Sequence, residues 1–282
     1  IYGLYYATNG GISKMNNLKK IDLEQLLIDA SLSAGKHLRD HAFDPGTIKW
    51  KGPDDPVTVR DVEAEGIIVD TFCEYLDLKI IGEESGKSKS CSGDSRYTAI
   101  IDPLDGTKSY LRRDFDSTVS VGLEEDGVLI GGVVYDFMRD IMYVGFRGET
   151  YLMNAGSKHD FGSVIANSNL GILTNSDPKK VSPENALKIE AMRVNPDFYI
   201  SGRRGSIALG MAQTAFGIHD AMIHFKQGNG GNIWDVAAGA YLLQCEGFTM
   251  LDGRGDAYDY KNPGKGIVVY KENDLQTLME YV

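Results

Sequence analysis

The segment YTAIIDPLDGTKSY, residues 97–110, holds the densest set of side chains in the sequence that could carry out chemistry. Its apolar first half predicts a strand that delivers Asp102 at its end, and Pro103 then interrupts strand pairing because proline has no N–H to donate. Asp105 follows three residues after Asp102, so both carboxylates and the carbonyl of Leu104 can face one pocket. Oxygen ligands of this kind suit Mg²⁺. Taken alone, the same residues also fit an ordinary surface turn.

The residues that follow this pair of acids favour anion binding. The amides of Gly106, Thr107 and Lys108 could hold an oxyanion, especially if a helix starts there.

Two further acidic segments could complete a metal site. Glu83 and Glu84 end a short apolar strand (KIIGEES), and acids at a strand end can ligate metal, although a solvated loop is the alternative. Asp235 lies near the start of a helix rich in small residues (WDVAAG), whose alanines and Gly239 would let it approach a sheet closely. The alternative for Asp235 is an acid stabilised by the helix dipole.

Hydrophobic periodicity predicts the elements that must position these residues. The predicted helices span residues 23–39, 57–75 (with Thr58 as its N-cap), 183–192, 206–216, 234–245 and 274–281. The predicted strands span residues 79–82, 97–101, 118–123, 128–135, 141–146, 150–154, 171–174, 221–224 and 266–270. Helices, a β-meander and then alternating elements predict a layered α/β (α+β) sandwich rather than a plain dinucleotide-binding fold.

Composition excludes several classes of protein. The chain has 282 residues, of which 42% are hydrophobic, and a net charge of -11. The negative charge argues against a general nucleic-acid binder, which needs a basic surface. An acidic chain can still handle phosphates if a metal supplies positive charge locally. No apolar run reaches the roughly 18 residues that a membrane span needs.

The cysteines and the N-terminus complete the compositional picture. The three cysteines form no CxxC pair and are odd in number, which predicts neither a disulfide framework nor structural zinc and favours a reducing compartment, the cytoplasm. The sequence does not start with Met, and Met15 is a possible native start. Residues 1–14 are therefore interpreted as a tag or an N-terminal extension, and they lack the pattern of a signal peptide.

The order and spacing of IGEES, DPLDGT and WDVAAG resemble the inositol monophosphatase superfamily, and the resemblance runs from about residue 23 to the C-terminus. VTVRD at 57–61 and GSIAL at 205–209 agree with it. It implies an αβαβα layered sandwich of the inositol monophosphatase and fructose-1,6-bisphosphatase type.

The same resemblance implies the domain organisation. A single phosphatase unit would cover residues 15–282, with an N-terminal α+β half (about 15–160) and a C-terminal α/β half (about 161–282). The family is commonly dimeric, so a homodimer is expected.

The resemblance also implies a role for each site residue. Asp61 and Thr107 match a hydrogen-bonded pair that orients or deprotonates the attacking water, and Glu83 is counted with them as catalytic. The metal ligands would be Glu83, Asp102, the carbonyl of Leu104, Asp105 and Asp235. The residues around the substrate would be Gly106, Thr107, Lys108, Gly205, Ser206 and Ile207.

The implied activity is Mg²⁺-dependent hydrolysis of a phosphate monoester, with two or three Mg²⁺ ions and sensitivity to lithium. Metal pairs in such sites lie ~3.5–4 Å apart and need a shared carboxylate, the role expected of Asp102. Phosphoryl transfer depends on positioning and electrostatics, so no Ser, Cys or His nucleophile is required.

The substrate remains open between two candidates. Lys108 after DGT resembles the 3'(2'),5'-bisphosphate nucleotidases, whereas Ala208 stands where that branch typically has a lysine for the second phosphate. We therefore expect a sugar or sugar-alcohol monophosphate, with inositol phosphate as the prototype, and keep the nucleotidase as the alternative. The expected partner is a small phosphate ester, with no nucleic acid polymer and no membrane.

Two functions from other classes are alternatives to hydrolysis. A non-catalytic, metal-dependent binding protein would keep the same scaffold. A dinucleotide-dependent oxidoreductase is suggested by GNGG at 228–231, which lacks the GxGxxG spacing.

Overall fold

The computed structural model describes residues 22–91, 95–159, 169–174, 181–202, 205–225, 231–264, 266–272 and 278. The expected N-terminal extension, the GNGG run up to its last glycine and all but one residue of the predicted closing helix lie outside these ranges.

The described chain forms six helices and fifteen strands. The helices are α1 (Leu23–Asp40), α2 (Val59–Tyr75), α3 (Thr107–Arg112), α4 (Pro183–Val194), α5 (Ile207–Ala215) and α6 (Ile233–Cys245). The strands are β1 (Ile48–Gly52), β2 (Asp55–Thr58), β3 (Lys79–Gly82), β4 (Gly86–Ser90), β5 (Tyr97–Asp105), β6 (Thr118–Glu125), β7 (Val128–Asp136), β8 (Ile141–Phe146), β9 (Glu149–Asn154), β10 (Ser157–His159), β11 (Leu170–Thr174), β12 (Phe198–Gly202), β13 (Ala221–Phe225), β14 (Thr249–Asp252) and β15 (Gly266–Tyr270).

These elements build two main sheets and a hairpin. The larger sheet has the order β10-β9-β8-β7-β6-β5-β3-β4, in which only β3 and β5 pair in parallel. The smaller sheet has the order β12-β11-β13-β15-β14, and its first three strands are parallel. β1 and β2 form a separate antiparallel hairpin.

The two sheets and the helices stack in five layers. α1 and α2 pack on one face of the larger sheet, and α5 and α6 fill the space between the two sheets. α4 covers the outer face of the smaller sheet through Ile189 and Met192. The predicted αβαβα sandwich is thus confirmed.

Small residues allow the middle layer to lie close to the larger sheet. A Cβ added at Gly132 in β7 would lie 2.7 Å from the carbonyl oxygen of Ala238 in α6, so no larger residue fits there. Gly239, which we expected to face a sheet, instead lies against Met211 of the neighbouring helix α5. α6 also packs against β5, the strand that carries Asp102 and Asp105.

Most predicted elements were found within a few residues of their predicted bounds. The predicted strand 97–101 continues to Asp105, although its pairing with β6 shifts between Asp102 and Asp105, where Pro103 was expected to interrupt it. The hairpin β1–β2, strands β4, β10, β12 and β14 and helix α3 were not predicted. Each is short, and the hairpin contains Pro56 and Gly52, which are typical of turns.

The cysteines were expected to form no disulfide framework, but the structure contains one disulfide. Cys73 near the C-terminal end of α2 is bonded to Cys91 after β4, and their Cα atoms lie 5.3 Å apart. The fold places the end of α2 beside the edge strand of the larger sheet, which a count of cysteines cannot reveal. Cys245 is free. The cysteine content therefore does not support a reducing compartment.

Helix length and hydropathy agree with the absence of apolar runs. In the part of the chain that the structure describes, no helix is both long enough and apolar enough to cross a lipid bilayer.

Candidate functional site

Strand β5 carries two buried carboxylates at its C-terminal end. Asp102 is 2% exposed and Asp105 is 9% exposed. The amide of Leu104 donates to Oδ1 of Asp102 at 3.0 Å, which fixes the irregular backbone around Pro103. The break in pairing that proline imposes therefore places two acids at one strand end.

The turn after β5 requires glycine. Gly106 has a φ of 89°, and a Cβ there would lie 2.6 Å from the carbonyl oxygen of Asp116. α3 starts at the next residue, and the first amides of a helix, here those of Thr107 and Lys108, have no partner within the helix. This agrees with the expectation that an anion could be held at this turn.

Glu83 and Glu84 follow β3, the parallel neighbour of β5. The amide of Glu83 donates to the carbonyl of Ile101 at 3.1 Å, which places the glutamate beside the end of β5. Sequence reasoning missed Lys51 of β1, whose Nζ lies 3.1 Å from Glu83 and 2.7 Å from Glu84. Its position in a short strand before Gly-Pro gave no signal of this role, since the contact joins residues 32 and 33 positions apart.

Lys51 and Glu84 form a partly buried pair. Burial raises the pKa of Glu84 to about 7, and the hydrogen bond and charge of Lys51 oppose this rise. Burial lowers the pKa of Lys51, but the hydrogen bonds and charges of Glu84 and Glu83 outweigh it and hold the ammonium group protonated.

Asp235 lies in the first turn of α6, as predicted. Its Oδ2 accepts a hydrogen bond of 2.6 Å from the amide of Asn232, the residue that caps the helix. Gly231 lies so close that a Cβ there would be 2.9 Å from Asp235 Oδ2. This position at the N-terminus of α6 fits both interpretations of Asp235, as an acid stabilised by the helix dipole and as a metal ligand.

Asp61 and Thr107 form the hydrogen-bonded pair that the resemblance implies. Thr107 Oγ1 donates to Asp61 Oδ1 at 3.1 Å and lies 3.1 Å from the carbonyl oxygen of Leu104. The other carboxylate oxygen of Asp61 accepts from the amide and the hydroxyl of Thr58, at 2.9 and 2.5 Å. The predicted N-cap of α2 thus also fixes the orientation of Asp61.

The five acids share one electrostatic environment, which we call the acidic centre: Asp61, Glu83, Asp102, Asp105 and Asp235. Burial raises the pKa of Asp102 well above its usual range, and the charges of Glu83, Asp105 and Asp235 raise it further. Burial also raises the pKa of Asp105 to about 7, with the charges of Asp235 and Glu83 acting in the same direction. Burial likewise raises the pKa of Asp61, against the hydrogen bonds from Thr58 and Thr107.

The donor set fits a hard divalent cation. Carboxylates and a carbonyl are the ligands that Mg²⁺ prefers, and mutual repulsion among buried carboxylates is relieved by positive charge. Within the described ranges, no three acidic, histidine or cysteine side chains converge as closely as the ligands of one ion. The acids are therefore neighbours that repel each other rather than a closed cage.

The residues expected around the substrate differ in their exposure and in the partners they already have. Lys108 Nζ lies 2.5 Å from Asp54 Oδ2 in the turn of the β1–β2 hairpin, so its ammonium group is paired. Gly205 and Ile207 are partly exposed at the start of α5, whereas Ser206 between them is fully buried. Arg203 and Arg204, which precede Gly205, lie outside the described residues.

Fold and site together define a five-layered αβαβα protein with a centre of five carboxylates around the end of β5, three of them buried. The sequence profile of the Inositol monophosphatase family matches residues 21–281, and the chain belongs to this family.

Individual relatives agree with this assignment. The chain is 31% identical over 240 residues to the Nus factor SuhB of Xylella fastidiosa, covering 82% of each protein. It is 28% identical over 256 residues to an inositol monophosphatase of Mesembryanthemum crystallinum, covering 86% of this chain and 90% of the relative. Its fold is similar to that of the Thermotoga maritima IMPase, with a TM-score of 0.75, 22% identity and coverage of 93% and 96% of the two chains.

The names of these relatives bear on the expected partners. One set carries the name of an inositol monophosphatase and another that of a Nus factor. Family membership thus favours a small phosphate ester as substrate but does not support the expectation that nucleic acid plays no part.

Proposed function

We propose that this protein is a Mg²⁺-dependent phosphomonoesterase that hydrolyses a small phosphorylated metabolite. The observation that carries the proposal is the acidic centre, where the buried carboxylates of Asp102 and Asp105 have raised pKa values and Thr107 is hydrogen-bonded to Asp61 beside them. Membership of the Inositol monophosphatase family supports it.

Five residues would hold two or three Mg²⁺ ions, and Asp102 would be shared between two of them. They are Glu83, Asp102, Leu104 through its carbonyl, Asp105 and Asp235. When bound, such ions neutralise the phosphate, lower the pKa of a water and stabilise the leaving alkoxide. The amides of Gly106 and Thr107 would hold the phosphate oxygens at the turn that the glycine makes possible.

Thr107 and Asp61 would orient the attacking water. The single hydroxyl proton of Thr107 points to Asp61 and Leu104, so the lone pairs of Oγ1 remain to accept a proton of the water. Asp61 cannot turn away, because Thr58 holds its other oxygen. A proton leaving the water would thus move to Thr107 while the threonine proton moves to Asp61.

The preferred substrate is a sugar or sugar-alcohol monophosphate, with inositol phosphate as the prototype. Ala208 offers no charge to a second phosphate, and the ammonium group of Lys108 is already paired with Asp54. The bisphosphate nucleotidase remains the alternative, because breaking that exposed ion pair costs only about 1 kcal/mol or less.

A panel of substrates tests the proposal. We expect phosphate release from inositol 1-phosphate above that from fructose 1,6-bisphosphate and adenosine 3',5'-bisphosphate, with loss of all turnover in EDTA and inhibition by tens of millimolar LiCl. A reversed preference for the nucleotide would establish the alternative. No turnover on any ester, combined with measurable Mg²⁺ binding, would favour the non-catalytic binding protein.

Thr107→Val should lower kcat by about 10²–10⁴-fold, the usual contribution of a positioned proton-transfer group. Valine keeps the shape but cannot accept from water or donate to Asp61. Thr107→Ser should recover most of the activity. Thr71→Val is a matched control, because Thr71 also donates to a backbone carbonyl, on α2. Equal kcat values for Thr107→Val and the control would rule out the proton path.

A further inference from the structure

Ser206 connects three elements near the acidic centre: α5, β5 and β6. It is the N-cap of α5, it is 0% exposed, and its hydroxyl lies between Asp105 at the end of β5 and Thr118 at the start of β6. Asp105 and Ser206 are 101 positions apart in sequence.

Every polar group of Ser206 has a partner within the protein. The hydroxyl donates to Asp105 Oδ2 at 2.5 Å and accepts from the amide of Leu209 at 2.9 Å. The backbone amide donates to the carbonyl of Asp116 at 2.8 Å, and the backbone carbonyl accepts from Gly210. Both N–H and O–H donors of Ser206 are therefore used within the protein.

The direction of the contact with Thr118 follows from this count. A serine hydroxyl has one proton and two lone pairs. When Asp105 is ionised, the form that would ligate a cation, the proton goes to Asp105 because a carboxylate only accepts, and one lone pair takes the Leu209 amide. Thr118 Oγ1, 2.8 Å away and fully buried, must therefore donate to the second lone pair. The chain of donors runs from Thr118 to Ser206 to Asp105.

Two donors from the first turn of α5 converge on one oxygen of Asp105. Besides the Ser206 hydroxyl at 2.5 Å, the amide of Ala208 lies 2.8 Å from Oδ2. Both of these hydrogen bonds go to Oδ2, so neither occupies the other oxygen, Oδ1. These hydrogen bonds favour the ionised carboxylate, the form that ligates a cation.

On this geometry, and resting on the proposed function, we infer that Ser206 is a positioning residue for the metal ligand Asp105, oriented in turn by Thr118. It holds the carboxylate in one rotation through Oδ2, which would leave Oδ1 available to Mg²⁺, and ties that ligand to the helix between the two sheets. Partners of this kind typically change metal affinity by about 10–100-fold.

The test is the Mg²⁺ dissociation constant of the intact protein, measured by isothermal titration calorimetry well below the melting temperature. Ser206→Ala should weaken Mg²⁺ binding about 10–100-fold, and excess Mg²⁺ should restore most of its turnover. Ser206→Thr keeps the donor and should bind nearly as the wild type does. Thr118→Val keeps shape and burial but removes the donor to Ser206, so it should weaken binding in the same direction.

Two control variants separate positioning from general damage. Ser117→Ala removes a hydroxyl that is equally buried but has no hydrogen-bond partner among the described residues. Ser182→Ala removes the N-cap of α4, where Ser182 Oγ accepts from Asn185 at 3.2 Å, far from Asp105. Both should leave the Mg²⁺ dissociation constant unchanged.

Three results would overturn the inference. Wild-type affinity in folded Ser206→Ala or, if that variant does not fold, in Thr118→Val would show that Asp105 needs no such support. An equal loss in Ser182→Ala would assign the effect to helix capping in general. A wild-type protein that binds no Mg²⁺ would remove the proposed function itself, and this inference with it.

Discussion

Asp102→Asn is expected to abolish nearly all Mg²⁺-dependent phosphatase activity while leaving a folded protein. Metal ions supply several kcal/mol of transition-state stabilisation. Losing about 4 kcal/mol of it corresponds to a fall of about 10³-fold in kcat. Asparagine keeps an oxygen that can accept from the amide of Leu104, so the local backbone should be preserved. What it loses is the charge and the second carboxylate oxygen that a shared ligand needs.

The same substitution should stabilise the protein in EDTA. The pKa of Asp102 is raised in the folded state by burial and by the charges of Glu83, Asp105 and Asp235. An acid with a raised folded-state pKa costs stability at every pH above its unfolded-state pKa. At such a pH the carboxyl ionises freely in the unfolded chain, whereas in the folded chain it stays protonated or ionises only at a cost in free energy. A neutral amide removes that cost at pH 7.

Thermal unfolding with and without Mg²⁺ measures this second effect. Asp102→Asn should melt above the wild type in EDTA. Added Mg²⁺ should raise its melting temperature much less, because a ligand stabilises the folded state only to the extent that it binds to it. Asp70→Asn, an exposed acid on α2, is the control and should change neither quantity. Retained turnover in a folded Asp102→Asn variant would contradict the assigned role of Asp102. A lower melting temperature in EDTA would contradict the electrostatic argument.

Removal of the disulfide is expected to have the largest effect on stability. Cys73 and Cys91 are 18 positions apart in sequence. Closing a loop of that size stabilises the folded state by about 3 kcal/mol through the entropy of the unfolded chain. The bond ties the end of α2 to the edge of the larger sheet, next to the β3–β4 hairpin whose turn carries Glu83. Because Cys73 is exposed, a dithiol reductant should reach it.

Denaturant unfolding before and after reduction checks this expectation. Cys73→Ala combined with Cys91→Ala should lower the free energy of unfolding by about 3 kcal/mol, and reduction should then have no further effect. Cys245→Ser, which alters the free cysteine, should leave the response to reduction intact. Alkylation of unreduced, denatured protein should label one thiol per chain. Labelling of three thiols would mean that the bond does not form in solution.

The acids of the candidate site could be picked out from the sequence because they lie at the ends of elements with clear hydrophobic periodicity. Alternating and helical apolar spacing located β3, β5 and α6, and each carries its acid at or just beyond an end. Thr58 was recognisable as an N-cap because capping is a local property of a few consecutive residues. Pro103 and Gly106 marked the irregular strand end for the same reason. These features depend on neighbours in sequence, so pattern reasoning reaches them.

Tertiary structure alone decided how those ends are held together. Lys51 reaches Glu83 from a short strand without a distinctive pattern, and Cys73 meets Cys91 only because α2 ends beside an edge strand. Ser206 was expected beside the substrate, and only the fold shows that its buried hydroxyl donates to Asp105. Hydrogen bonds, charge coupling and desolvation act through space over a few ångströms. Which residues come that close depends on how the layers pack, and local sequence does not record it.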